Sequence, residues 1–150
     1  ISGGSSIMAV NVGQRNVPDT PQNQQLQACT KAKELALHTL AICKNKNVFT
    51  EDYKNILTDD IVETAKDVFV YAFSANDIRV AGSKTKWTER HRYQEIAIAK
   101  CKKLKPLISL AKSAFHLREK KVDYWIGMLF ETKTLLEKWH QTDVKRYGNC

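Results

Sequence analysis

The chain has 150 residues, 24 of them Lys or Arg and 16 Asp or Glu, for a formal charge of +8 and an isoelectric point near 9.4. That length suits a single domain able to bury a core without disulfide or metal staples. The absence of any run of eighteen apolar residues excludes a membrane-spanning helix, so no membrane partner is expected.

Ile1–Ser6 (ISGGSS) looks like an added linker, with Met8 as a natural start, and Ile1–Val10 lacks the basic flank of a signal peptide. Residues 1–25 are polar and broken by Gly13, Pro18 and Pro21, which predicts a flexible lead-in, with the folded unit at 26–148. Gly and Pro are otherwise scarce, which favours helix.

The first predicted helix starts between Gln22 and Gln27 and runs to about Asn45. Leu26, Cys29, Ala32, Ala36, Leu40 and Cys43 recur at three- and four-residue steps as its buried stripe. A turn follows at 45–48. Thr50 is a suitable cap for the second helix, with Glu51 and Asp52 placed where the helix dipole favours acid. Its stripe is Tyr53, Leu57, Ile61, Ala65, Val68, Ala72 and Ala75, ending near Ile78. Ala81–Ser83 is the clearest turn.

The third helix starts near Lys86, capped by Ser83 or Thr85. Its buried line is Trp87, His91 or Gln94, Ala97, Ile98, Cys101, Leu104, Ile108, Ala111 and Phe115. Pro106 falls mid-pattern and should kink or split it. The fourth helix starts near Glu119. Val122, Trp125, Leu129, Thr132, Leu136 and Trp139 alternate three and four apart, a seven-residue repeat suited to a bundle seam, and Gly148 ends it. Four such helices and no strand signal predict an all-α fold, an antiparallel up-down-up-down four-helix bundle. Leu35, Ile42, Phe69, Phe73, Ile96 and Leu117 are left as apolar flanks beyond the seam.

Little in the chain suggests catalysis. Asp59 and Asp60 are adjacent and so diverge on a helix, Glu89 and Glu95 read as ion-pair partners of Arg92 and nearby lysines, and no nucleophile–base pair or phosphate-cradling glycine loop is visible. No metal or other cofactor is expected, because Cys29, Cys43, Cys101, Cys150 and His38, His91, His116, His140 show no zinc-site spacing. The cysteines read as small buried hydrophobes in a reducing cytoplasm.

Charge is the informative feature. Residues 84–121 hold twelve Lys or Arg and three Glu, a local charge of +9, while the rest of the chain holds twelve basic and thirteen acidic residues and is nearly neutral. A cationic face on a packed helix, about 40–50 Å long at ~1.5 Å per residue, suits contacts to nucleic-acid phosphates. The candidate nucleic-acid-binding residues are Arg79, Lys84, Lys86, Arg90, Arg92, Lys100, Lys102, Lys103 and Lys105, extended at the far end by Arg118, Lys120 and Lys121. A solvated lysine-rich face, or a surface that docks an acidic protein, accounts for the same charge.

The segments KAKELALHTLAICKNKNVF, LTDDIVETAKDV, RHRYQEIAIAKCKKLKPLISLAKSAF, KKVDYW and LLEKWHQTDVKRY, in that order over residues 28–147, resemble the Avd accessory proteins of diversity-generating retroelements. These share a four-helix fold with proteins encoded in bacterial ribosomal intervening sequences. Tyr124–Trp125 and the set Trp139, Asp143, Arg146 and Tyr147 are the most distinctive pieces. The resemblance implies a non-catalytic homopentamer that binds a reverse transcriptase and its template RNA or DNA and supports adenine-directed mutagenic retrohoming. The alternatives are an intervening-sequence-type protein or interaction scaffold without a polymerase partner. Pro106 and the polar lead-in depart from the family pattern.

Overall fold

The computed structural model describes residues 18–149. The expected linker at 1–6, the start at Met8, most of the lead-in and Cys150 lie outside them. Four long helices make up the described chain: α1 (Pro21–Cys43), α2 (Asp59–Asn76), α3 (Lys84–Phe115) and α4 (Glu119–Tyr147). No strand occurs among the described residues. α1 and α3 each pack against both α2 and α4, around one core of aliphatic and tryptophan side chains.

The starts of α1 and α3 follow from local chemistry. The Thr20 hydroxyl accepts a hydrogen bond from the Asn23 amide at 3.2 Å, and Pro21 occupies the first helical turn, where its missing N–H costs nothing. α1 therefore begins inside the stretch expected as lead-in. Ser83 caps α3 by accepting from the Lys86 amide, so that helix starts at Lys84, just before the predicted point. The turn between α2 and α3 carries Ala81 and Gly82 at φ 46° and 77°, in the left-handed region where glycine is the unstrained residue.

Two predicted stripes hold except at a few positions. Leu26 and Leu40 are 64% and 46% exposed, and the buried face of α1 is Ala28, Cys29, Ala32, Leu35, Ala36, Thr39 and Cys43. Leu35, expected on a flank, is fully buried. Thr39 explains the misreading. Its hydroxyl donates to the Leu35 carbonyl at 2.8 Å and accepts the Trp125 indole N–H at 3.0 Å, so a polar residue holds a core position. Tyr53, expected on the second stripe, is exposed. Glu51–Tyr53 form a 3₁₀ turn and Lys54–Thr58 a π turn, which break the angular phase before α2 begins. Thr50 precedes this segment and makes no side-chain cap.

α3 is one helix of 32 residues and Pro106 does not split it. Pro106 and Lys102 are both exposed, so the missing helical donor falls on the solvent-facing side of α3. α3 ends at His116, at φ 54°, with the Leu117 amide bonded back to the Lys112 carbonyl at 3.0 Å. The whole predicted seam of α4 is buried, and Trp125, Trp139, Leu129 and Leu136 are among the largest buried side chains.

Candidate nucleic-acid interface

α3 (Lys84–Phe115) covers all of the basic segment except its last six residues, which form the turn and the start of α4, and is about 48 Å long at ~1.5 Å per residue. Its core-facing line is Trp87, Arg90, Gln94, Ala97, Ile98, Cys101, Leu104, Ile108 and Ala111. The cations at other positions are fixed by helical phase, each residue turned about 100° from the last.

Arg79, Lys84, Lys86, Arg92, Lys102 and Lys105 are exposed, and among the described residues none of them has an ion-pair partner. They do not form a single file. Arg92 lies over the Tyr93 ring at 5.5 Å, and Lys105 leans over Phe130 of α4 at 5.0 Å. Lys102 lines a small cleft with Glu137, His140 and Gln141 of α4. The cations thus fan across the outer face of α3 rather than tracing one ridge. Lys100 and Lys103 turn the other way and meet α2, at Asp67 (3.6 Å) and Asp60 (3.1 Å). Both ammonium groups are partly neutralised and offer less to a polyanion.

Arg90 does not belong to this surface. It is 4% exposed, and its guanidinium lies inside the bundle. Nε donates to Asp143 Oδ2 at 2.7 Å, Nη1 to the Ile78 carbonyl at 2.9 Å, and Nη2 to Gln25 Oε1 at 3.0 Å. Gln94 Nε2 donates to the same Asp143 oxygen at 2.8 Å. Trp139 and Tyr147 present ring faces to the guanidinium at 5.3 and 5.7 Å. A cation so fully engaged cannot reach a phosphate, so the expected contact at Arg90 is withdrawn. Hydropathy counts any Arg as surface, and the signal that could have corrected it is the helical phase of residue 90, one turn after Trp87 and one before Gln94.

The acids also pair differently from expectation. Glu95 approaches His91 at 3.4 Å, not Arg92, and His91 Nδ1 lies 2.8 Å from His140 Nε2, with the two rings stacked at 4.8 Å. Burial, then the neighbouring His91, hold the His140 imidazole below its usual pKa. The sequence reading missed this group because its members come from two helices 45 or more residues apart.

At the opposite end of α3, Arg118, Lys120 and Lys121 edge an open cleft of about 940 Å³ between the α1–α2 loop and the α3–α4 turn. Its walls include Phe49, Phe115 and the His38–Tyr124 pair, whose rings meet edge to face at 5.2 Å. Phe49 packs on Phe115 at 4.6 Å and on Trp125 at 6.5 Å. Lys112 is tied to Glu119 at 2.7 Å beside this end. Tyr124 is exposed while Trp125 is buried, so only the first of this aromatic pair is available to a ligand. Trp87, expected on the buried line of the third helix, is buried.

The molecule is therefore a four-helix, all-α protein with a cationic outer face on its longest helix. Comparison of the chain with protein-family profiles, with characterised proteins and with solved structures finds no match. No helix among the described residues is long and apolar enough to cross a membrane.

Proposed function

We propose that this protein is a basic, non-catalytic accessory subunit that grips a nucleic-acid backbone along α3 and serves a reverse transcriptase, in the manner of the Avd proteins of diversity-generating retroelements. The observation that carries the reading is the set of six exposed cations, Arg79 and five on α3, that have no ion-pair partner among the described residues. Such a face meets phosphates without reading bases, which suits a factor that handles template RNA and its cDNA regardless of sequence. The fold that accompanies this role is an antiparallel up-down-up-down bundle. Short connections between α2 and α3 and between α3 and α4 support it. So does the pairing of the start of α3 with the end of α4 through Arg90 and Asp143, and of the end of α1 with the start of α4 through Thr39 and Trp125. Exposed Leu26, Leu37 and Leu40 on α1 and Val70 and Phe73 on α2 support assembly into a homo-oligomer, for which the pentamer of the resembled family is the reference. The protein acts in the cytoplasm, where template and polymerase are found.

The test is binding of a structured RNA and its DNA counterpart over a salt series, comparing the natural chain with Lys84→Glu, Arg92→Glu, Lys102→Glu and Lys105→Glu combined. Arg90 is left untouched so that the core stays intact. The natural chain should bind with a linear decline of log K against log salt, and the variant should lose binding while its helical circular dichroism is unchanged. Undiminished binding by the folded variant overturns the reading. A natural chain that ignores RNA and DNA at low salt, yet docks an acidic protein, replaces it with the scaffold alternative.

A further inference from the structure

His91, Glu95 and His140 each offer a ligand atom, and these atoms lie within 4.8 Å of one another. His91 and Glu95 are one helical turn apart on α3, so both project from one face, and His140 faces them from α4. His91 is held on its other side by Trp87, whose ring centre is 5.0 Å away. Two ligand atoms on one tetrahedral zinc, each at about 2.0–2.1 Å from the metal, stand about 3.3 Å apart. The imidazole nitrogens at 2.8 Å need only a small ring rotation to reach that spacing, and the exposed Glu95 carboxylate is free to swing in. We propose that His91, Glu95 and His140 form a binding site for a borderline divalent transition metal of the zinc–cobalt–nickel kind, bridging α3 and α4. Two imidazoles and one carboxylate select such an ion over magnesium or calcium, which prefer all-oxygen shells. Glu137 and Lys102 line the adjoining cleft with opposite charges, so the site carries no large adverse field. Three protein ligands leave a coordination position facing that cleft, open to water or to an exogenous anion.

The site stands apart from the nucleic-acid reading and survives its failure. The buried Cys29, Cys43 and Cys101 are not part of it, with thiols pushed by burial to about 11, 12 and 12. Cys150 is removed as a competing ligand by using the full chain with Cys150→Ser. After chelator treatment, this protein is titrated calorimetrically with zinc chloride, and separately with cobalt(II) while its visible absorption is followed. One ion per chain is expected, with a rise in melting temperature on binding. Glu95→Gln, at an exposed position, should weaken binding roughly tenfold, and His140→Gln should remove both the cobalt spectrum and the thermal shift. Lack of saturable binding at about 100 μM metal, or binding unchanged in both variants, overturns the site and leaves a stacked, hydrogen-bonded histidine pair.

Discussion

Arg90 and Asp143, 53 residues apart, meet inside the bundle at 2.7 Å, and the Asp143 side chain is wholly buried. Among the described residues, Asp143 Oδ1 has no hydrogen-bond partner and Arg146 approaches it only to 3.9 Å, so the carboxylate depends on Arg90 and Gln94 through Oδ2. Replacing Asp143 by Ala leaves a buried guanidinium without its counter-charge. The expected loss in urea-unfolding free energy is about 3–5 kcal/mol. The double variant Arg90→Met, Asp143→Leu should recover most of it, since an apolar pair of similar bulk leaves no buried charge behind. A single-variant loss below about 1 kcal/mol would show that solvent reaches the pair.

Pro106 invites a gain. It sits in an exposed position inside a continuous helix and removes one backbone donor. Pro106→Ala restores the bond to the Lys102 carbonyl, and even after the looser unfolded chain is counted, stability should rise by about 1–2 kcal/mol in urea denaturation. A fall would indicate that the helix is bent at this point and that the bend is built into the packing of α3.

His38 gives stability a pH dependence. Its Nε2 is buried with no hydrogen-bond partner among the described residues, and burial lowers its pKa from the ordinary 6.5. The unfolded chain therefore takes up a proton more readily than the folded one. The contribution from this residue is complete above pH 6.5 and is lost as pH falls through and below that value. His38→Gln should flatten the decline of unfolding free energy between pH 7 and pH 5.5, a comparison best made in a His140→Gln background because burial lowers that imidazole too.

The buried thiols should be inert. Burial raises the Cys29 pKa to about 11 and those of Cys43 and Cys101 to about 12, so almost no thiolate exists at pH 8. A chain carrying Cys150→Ser should show no reaction with a disulfide reagent while folded, and three thiols on unfolding.

The four helices and the α4 seam were legible because their apolar periodicity runs for many turns, and the single polar residue of the seam, Thr132, keeps the seven-residue spacing. Where a polar side chain holds a core position, as Thr39 and Arg90 do, hydropathy pointed the wrong way, while Gln94 was placed on the buried line as an alternative to His91. Each is there to satisfy a buried partner on another helix, a relation that lies between distant segments and has no local trace. The spacing of Trp139, Asp143 and Tyr147 was visible as a pattern. Its chemical meaning appears only once Arg90 is placed against all three residues. For the basic strip, the sequence supplied the charges, but which lysines are neutralised depends on Asp60 and Asp67 of α2.

The guanidinium of Arg90 also bears on the order in which the chain assembles. Its acceptors lie 12, 53 and 65 residues away along the sequence, on the α2–α3 turn, α4 and α1. A half-formed bundle that encloses Arg90 before Gln25 or Asp143 has arrived holds a desolvated cation with idle donors, a costly state. Compact intermediates at this end of the molecule are thereby disfavoured. The first and last helices are made to dock together, and one side chain checks that both have come home.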